Sequence, residues 1–218
     1  MQGRELIVFR AARFFQDGDL VNLGIGMPTQ VANHLPEGVE IQLQSENGFI
    51  GLGPTPAEAA SWDKDVVNAG GHPVSILPGG CTFDSCMSFG LIRGGHVAAT
   101  VLGALEVDQE GNLANWIIPG KKVPGMGGGM DLVAGANKVI VTMEHCTKDG
   151  KPKILKKCTL PLTAAHEVDY IITELCVLHY NGEGLVLEEL APGVTVEDVL
   201  AKTDADLIIP AQIGCMNT

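Results

Sequence analysis

Short apolar runs separated by glycine or proline constrain this chain more than any other feature. Val74 to Leu77, Val97 to Leu105 and Val139 to Met143 are each too short for a long helix and each is bounded by turn formers. Runs of that length read as strands. Between the first two, Phe83, Met87, Gly90 and Leu91 recur at helical spacing and end at Gly94-Gly95. Upstream, Val8, Ala11, Ala12 and Phe15 share that spacing and Asp17-Gly18 supplies a stop, so the chain is expected to open with an amphipathic helix. Leu20 to Leu23 then reads as a buried strand, broken by Gly24-Ile25-Gly26-Met27-Pro28. Pro28 suits the first turn of a following helix, expected to reach His34 and Leu35. This alternation predicts an α/β sheet.

The last third has another texture. Lys148-Asp149-Gly150-Lys151 and Asn181-Gly182 are hairpin-type turn signals, and Thr195-Val196-Glu197-Asp198 is a capping box opening a short helix. An antiparallel extension is the expectation. With no internal repeat, low-complexity tract or linker, 218 residues read as a single domain over 1–218, large enough for a core of its own.

Glycine is the compositional departure. There are 28, grouped as Gly24/Gly26, Gly51/Gly53, Gly70/Gly71, Gly79/Gly80, Gly94/Gly95 and Gly125 to Gly129 where Met126 alone intervenes. Such groups mark backbone passing close to a ligand or to other backbone. The formal net charge of -12 argues against a general binder of nucleic acid or anionic membrane. Cys81, Cys86, Cys146, Cys158, Cys176 and Cys215 form no CxxC and no ligand-like pairing with histidine, which reads as buried free thiols in a reducing cytoplasm. Arg10 and Arg13 interrupt the apolar stretch that a secretory signal needs, and no run of about 18 apolar residues exists to span a membrane.

Chemistry is concentrated at Ser45-Glu46-Asn47-Gly48. The alternating run Val39-Glu40-Ile41-Gln42-Leu43 delivers a carboxylate onto a tight glycine turn at the end of a strand. Taken alone, Glu46 reads as a turn carboxylate paired with a surface cation; its context changes that reading. Asn22 precedes Gly24 and Gly26, and by itself is a polar group satisfying nearby backbone. Gly125-Met126-Gly127-Gly128-Gly129-Met130-Asp131 would let backbone amides approach a ligand without side chains in the way.

Nearly the whole chain resembles the beta subunit of the family I (3-oxoacid) coenzyme A transferases. The blocks that carry the likeness are Asn22 to Pro28, Ser45 to Pro54, Val67 to Gly70, Ser88 to His96, Gly111 to Trp116, Pro119-Gly120-Lys121, Gly125 to Leu132 and Lys157 to Thr163, in the family's order. The resemblance implies an open, mostly parallel α/β sheet with flanking helices. It implies that Glu46 is a covalent nucleophile toward an acyl-CoA thioester, forming first an acyl-glutamyl anhydride and then a glutamyl-CoA thioester. It further implies an oxyanion donor at the Gly128 amide, Asn22 beside the glutamate, and coenzyme contacts at Asn47, Gly48, Gly127 and Gly129. An ordinary glutamate, with a pKa near ~4.3, is ionised at neutral pH, so the attack asks for no separate base. Coenzyme A enters as substrate and covalent intermediate; no permanently bound cofactor or metal is implied. Because the likeness covers only the beta half, it implies an alpha-subunit partner, a heterotetramer, and short-chain substrates such as acetoacetate, butyrate or acetate.

Two departures from the family pattern stand out: Gly129 where alanine is usual, and Gly71 where some relatives carry lysine. The Pro119-Gly120-Lys121-Lys122-Val123-Pro124-Gly125 connection looks more like the acetoacetate branch than the 3-oxoadipate/succinyl-CoA branch, which is the nearest alternative. A noncatalytic acyl-CoA-binding module is a rival of another class; a purely structural protein leaves the glycine groups around Glu46 unexplained. Lesser candidates are Arg93 with His96, as a phosphate site or a helix-end cation, and Glu144-His145, as an acid/base pair or structural hydrogen bonding. Lys121-Lys122 is one basic concentration; Lys151, Lys153, Lys156 and Lys157, the other, read as a solvated face.

Overall fold

The computed structural model describes residues 1–120 and 125–216; Lys121-Lys122 and the Val123-Pro124 part of the connection to Gly125 lie outside the described residues. Strands β1 (Leu20–Leu23), β2 (Gln42–Ser45), β3 (Phe49–Gly53), β4 (Ser75–Thr82) and β5 (Ala99–Leu102) come first in the chain. Strands β6 (Glu106–Asp108), β7 (Leu113–Ala114), β8 (Val139–Thr142) and β9 (Ile154–Leu155) follow. The last are β10 (Tyr170–Ile172), β11 (Cys176–Tyr180), β12 (Leu185–Leu190), β13 (Leu207–Ile208) and β14 (Gly214–Cys215). Helices are α1 (Arg4–Ala11), α2 (Ser85–Arg93), α3 (Gly129–Gly135) and α4 (Val196–Leu200), with a 3-10 segment at Met27–His34.

The main sheet has the order β13-β12-β11-β10-β8-β5-β1-β2-β3-β4, with β14 beside β12, and a separate small sheet has the order β7-β6-β9. Strands β10, β8, β5, β1 and β2 are mutually parallel neighbours, so their carboxyl ends lie along one edge. Antiparallel strands flank this centre on both sides, β3 and β4 on one and β11 and β12 on the other. The sheet is therefore mostly parallel at its centre, with the expected antiparallel extension. Among the five parallel strands the order is β2-β1-β5-β8-β10, so the chain steps from β1 to β2 on one side and later returns to β5 on the other, which makes the carboxyl end of β1 the switch point where sheets of this kind bind ligands.

Each face of the sheet carries its own core. Alternate residues of the central strands, Val101, Ile140 and Ile172, pack with Leu6, Ile7, Val8 and Ala11 of α1. The intervening Leu102, Val141 and Ile171 pack with Ile92 of α2, Leu132 and Val133 of α3 and Val199 of α4. Two-face burial explains why these strands read as unbroken apolar runs.

Several expectations shift in detail. Strand β2 starts at Gln42 rather than Val39, because the Pro36 turn extends to Val39, whose N–H donates to the Pro36 carbonyl. Helix α2 buries Ser88 and Ile92, whereas Met87 of the anticipated stripe is 57% exposed. Ile76 and Leu77 are exposed because β4 is an edge strand. All six cysteines are free thiols, yet only Cys176 is buried; Cys81, Cys86 and Cys215 are exposed on the surface. The capping box forms as read: Thr195 and Asp198 exchange side chain-to-backbone bonds at the start of α4. No helix among the described residues is long and apolar enough to cross a membrane.

Candidate active site

Glu46 begins the three-residue turn that joins β2 to the antiparallel β3, at the carboxyl end of the parallel centre. Gly48 makes the turn possible. Its φ is +131°, and a Cβ there would lie 2.2 Å from the Phe83 carbonyl oxygen. The Phe83 N–H in turn donates to the Gly48 carbonyl at 2.8 Å, pressing the turn against the entry to α2. On the other side, the Ser45 hydroxyl accepts from the Ala69 N–H at 3.0 Å and the Asn47 side-chain amide donates to the Val67 carbonyl at 2.8 Å. The turn that holds Glu46 is thus braced by two separate segments.

Asn22 approaches from the neighbouring strand. Parallel pairing sets Asn22 beside Gln44, and the buried Asn22 amide donates to Glu46 Oε2 at 3.3 Å. The glycine loop approaches from the third side. Gly128 caps α3 and is buried; a Cβ on it would lie 3.2 Å from Glu46 Cγ and 3.2 Å from the Phe89 ring. No other residue type allows that approach without displacing the glutamate or the ring. Gly127 and Gly129 flank it, but Gly129 faces Thr163 and Met126 rather than Glu46. Of the residues singled out from sequence, Glu46, Asn22 and Gly128 therefore come together. Asn47 and Gly48 build the turn, and Gly127 and Gly129 shape the loop.

Thr163 belongs to a segment held in place by carboxylates. Glu106 accepts from the Thr159 and Leu160 N–H groups, and Asp108 accepts from the Cys158 N–H. The Thr163 hydroxyl donates to Asn115 Oδ1 at 2.6 Å, and its methyl abuts Gly129. This supports the glycine loop from behind.

Sequence reasoning missed Gln44, Ser88 and Phe89. Gln44 is buried although it falls on the polar phase of the alternating run that starts at Val39. A polar residue next to a strand end, in a sheet covered on both faces, was the available signal. Arg93 is neither free nor a simple helix cap: its guanidinium pairs with Asp131 of α3 at 2.6 Å. His145 is fully buried, its ring nitrogens lying 3.0 Å from the Thr173 hydroxyl and 2.8 Å from that of Thr203. Burial, helped by Lys202 and Lys153, pulls its pKa down to about 4. Glu144 instead pairs with Arg4 at 3.0 Å, so these neighbours are structural and do not form an acid/base pair. Two surface clefts, one lined by Arg4, Glu144 and Cys146 and the other by Gln109, Tyr180 and Ile208, lie away from Glu46.

The sequence profile of the Coenzyme A transferase family matches residues 4–202. The chain belongs to that family. It is 61% identical over 96% of its length to the beta chain of an acetate CoA-transferase of Haemophilus influenzae, covering 93% of that protein. It is 48% identical over 97% of its length to one subunit of a probable succinyl-CoA:3-ketoacid coenzyme A transferase of Bacillus subtilis, covering 98% of that protein. Among solved structures it matches the acyl-CoA transferase YdiF apoenzyme of Escherichia coli O157:H7 with a TM-score of 0.79 and 26% identity. That match covers 99% of this chain and 43% of the longer one. As a coenzyme A transferase the chain has the α/β sheet of its family, and its apolar surface is notable. Ile25, Met87 and Met130, on the segments that bracket Glu46, are 69%, 57% and 53% exposed.

Proposed function

We propose that this chain is the beta-type subunit of a transferase that moves coenzyme A between a short-chain acyl-CoA and a carboxylic acid, with Glu46 as nucleophile. The observation that carries the reading is the meeting of three groups from distant parts of the chain: the Glu46 carboxylate, the Asn22 amide at 3.3 Å and the close-packed backbone of Gly128. The names of its relatives point to acetate or a 3-oxoacid as acid partners, and butyrate is a further short-chain candidate.

The steps balance without an outside reagent. A Glu46 oxygen attacks the acyl-CoA carbonyl carbon and expels the CoA thiolate, leaving an acyl-glutamyl anhydride. The thiolate then attacks the glutamyl carbonyl carbon, expels the product carboxylate and leaves a glutamyl-CoA thioester. An acceptor carboxylate attacks that thioester and regenerates thiolate and anhydride. Attack of the thiolate on the new acyl carbon releases acyl-CoA and restores the Glu46 carboxylate. Asn22 and the Gly128 amide are the proposed donors to oxygen charge, and loss of one such donor typically costs about 2.7–4 kcal/mol of transition-state stabilisation.

Both intermediates are open to hydrolysis, so water has to be kept out. Glu46 is only half-buried in the chain alone, and Ile25, Met87 and Met130 on the segments around it are exposed. We therefore assign the cover to an alpha subunit, a reading supported by the names of relatives that are themselves single subunits, and we place the two chains in a heterotetramer. Intact-protein mass after incubation with acetoacetyl-CoA or butyryl-CoA, alone and with the alpha subunit, tests the proposal. A CoA-sized increment mapped to Glu46 that disappears on adding an acceptor acid is the expected result. Glu46→Ala should show neither adduct nor turnover. Glu46→Asp, which keeps the charge but retracts it by one methylene, should lose about 10²-fold in rate. Full turnover by Glu46→Ala would sink the proposal and leave a binding module.

A further inference from the structure

Three buried polar side chains form a relay behind Glu46. Ser88, Asn22 and Gln44 are 0%, 2% and 3% exposed, on α2, β1 and β2 respectively. Asn22 Nδ2 faces three oxygens: Gln44 Oε1 at 2.7 Å, the Gln44 main-chain carbonyl at 3.2 Å and Glu46 Oε2 at 3.3 Å. A carbonyl and a carboxylate only accept, so the end of Asn22 that meets them has to be its NH2. Gln44 must then turn its oxygen toward Asn22 and its own NH2 away, and that NH2 donates to Ser88 Oγ at 2.8 Å. Ser88 thus closes a chain of donors and acceptors that has a single consistent direction.

We infer that Gln44 and Ser88 are positioning residues that hold the Asn22 amide with its N–H toward Glu46 while limiting how tightly it binds there. Two hydrogens are shared among three acceptors, and the shortest bond goes to Gln44. Glu46 receives the longest. A donor held firmly on the resting carboxylate would stabilise the ground state and slow attack, since charge leaves Glu46 as the acyl oxygen gains it. A donor free to rotate would not keep its N–H aligned on the carboxylate. The relay avoids both outcomes.

This inference rests on the Glu46 reading, and the experiment separates the two. The chain is assembled with its alpha subunit, and kcat, KM and the pH profile of kcat/KM are measured for wild type, Glu46→Ala, Gln44→Met, Gln44→Glu, Ser88→Ala and Ser88→Thr, with thermal unfolding as a check on folding. Gln44→Met should lower kcat about tenfold to a hundredfold with KM nearly unchanged. Gln44→Glu sets a second carboxylate within about 6 Å of Glu46 by way of the shared Asn22 contact, which should move the acid limb up by about one pH unit. Ser88→Ala should lower kcat, and Ser88→Thr, which keeps the hydroxyl, should recover most of it. Wild-type kcat and pH profile in both Gln44 variants, or a change confined to KM, overturns the relay while Glu46→Ala remains dead. Turnover by Glu46→Ala overturns the underlying reading instead.

Discussion

Two glycines beside Glu46 do different work, and their alanine variants should separate stability from activity. Gly48 combines a φ of +131° with backbone 2.2 Å from any added Cβ. Gly48→Ala should cost about 3 kcal/mol or more in urea unfolding, through strain and collision with the Phe83 carbonyl. Gly128 has an ordinary φ of -82°, so an added methyl strains no backbone, and its nearest neighbours are Glu46 Cγ and the Phe89 ring. Gly128→Ala should therefore change stability by about 1 kcal/mol yet lower kcat about tenfold to a hundredfold, because a small displacement of the nucleophile is enough. Equal losses of stability in the two variants would contradict this division.

Among the elements, the end of β8 carries a titration signature. His145 joins β8 to the β10–β11 turn through Thr173 and to the segment after α4 through Thr203. Its pKa is about 4 in the folded chain against 6.5 for an ordinary histidine. Between those values the unfolded chain binds a proton that the folded chain refuses. Stability is accordingly complete above pH 6.5 and falls as pH drops toward 4, by about 3 kcal/mol from this group. His145→Gln should flatten that part of the stability-pH curve; an unchanged slope would place the acid sensitivity elsewhere. Elements of this kind were legible where local pattern decides them. β1, β5 and β8 announce themselves as apolar runs and α4 by its capping box, because burial on both faces or a cap leaves a mark in a few adjacent residues. Glu46, Asn22 and Gly128 were found through family likeness, since nothing local shows that residues 22, 46 and 128 meet. Gln44 and Ser88 stayed hidden for the same reason. Met87 shares the expected helical spacing yet is exposed, because spacing shows which residues share a face and says nothing of whether that face is covered.

For the molecule as a whole, the exposed apolar side chains near Glu46 matter more than the net charge of -12. Met87→Lys should leave the stability of the isolated chain within about 0.5 kcal/mol, since the residue is 57% exposed, yet block assembly with the alpha subunit in size-exclusion chromatography. Unimpaired assembly would move the docking face off α2. The pairing of Asn22 with Gln44 has a consequence beyond catalysis. Because strand side chains alternate, a slip of one residue between β1 and β2 would turn the partners to opposite faces while leaving the backbone ladder largely intact. Such a chain would look folded by ellipticity and carry no competent nucleophile. Labelling by acyl-CoA is thus a gauge of correct register: during refolding with the partner present, it should recover only after the far-UV signal has returned.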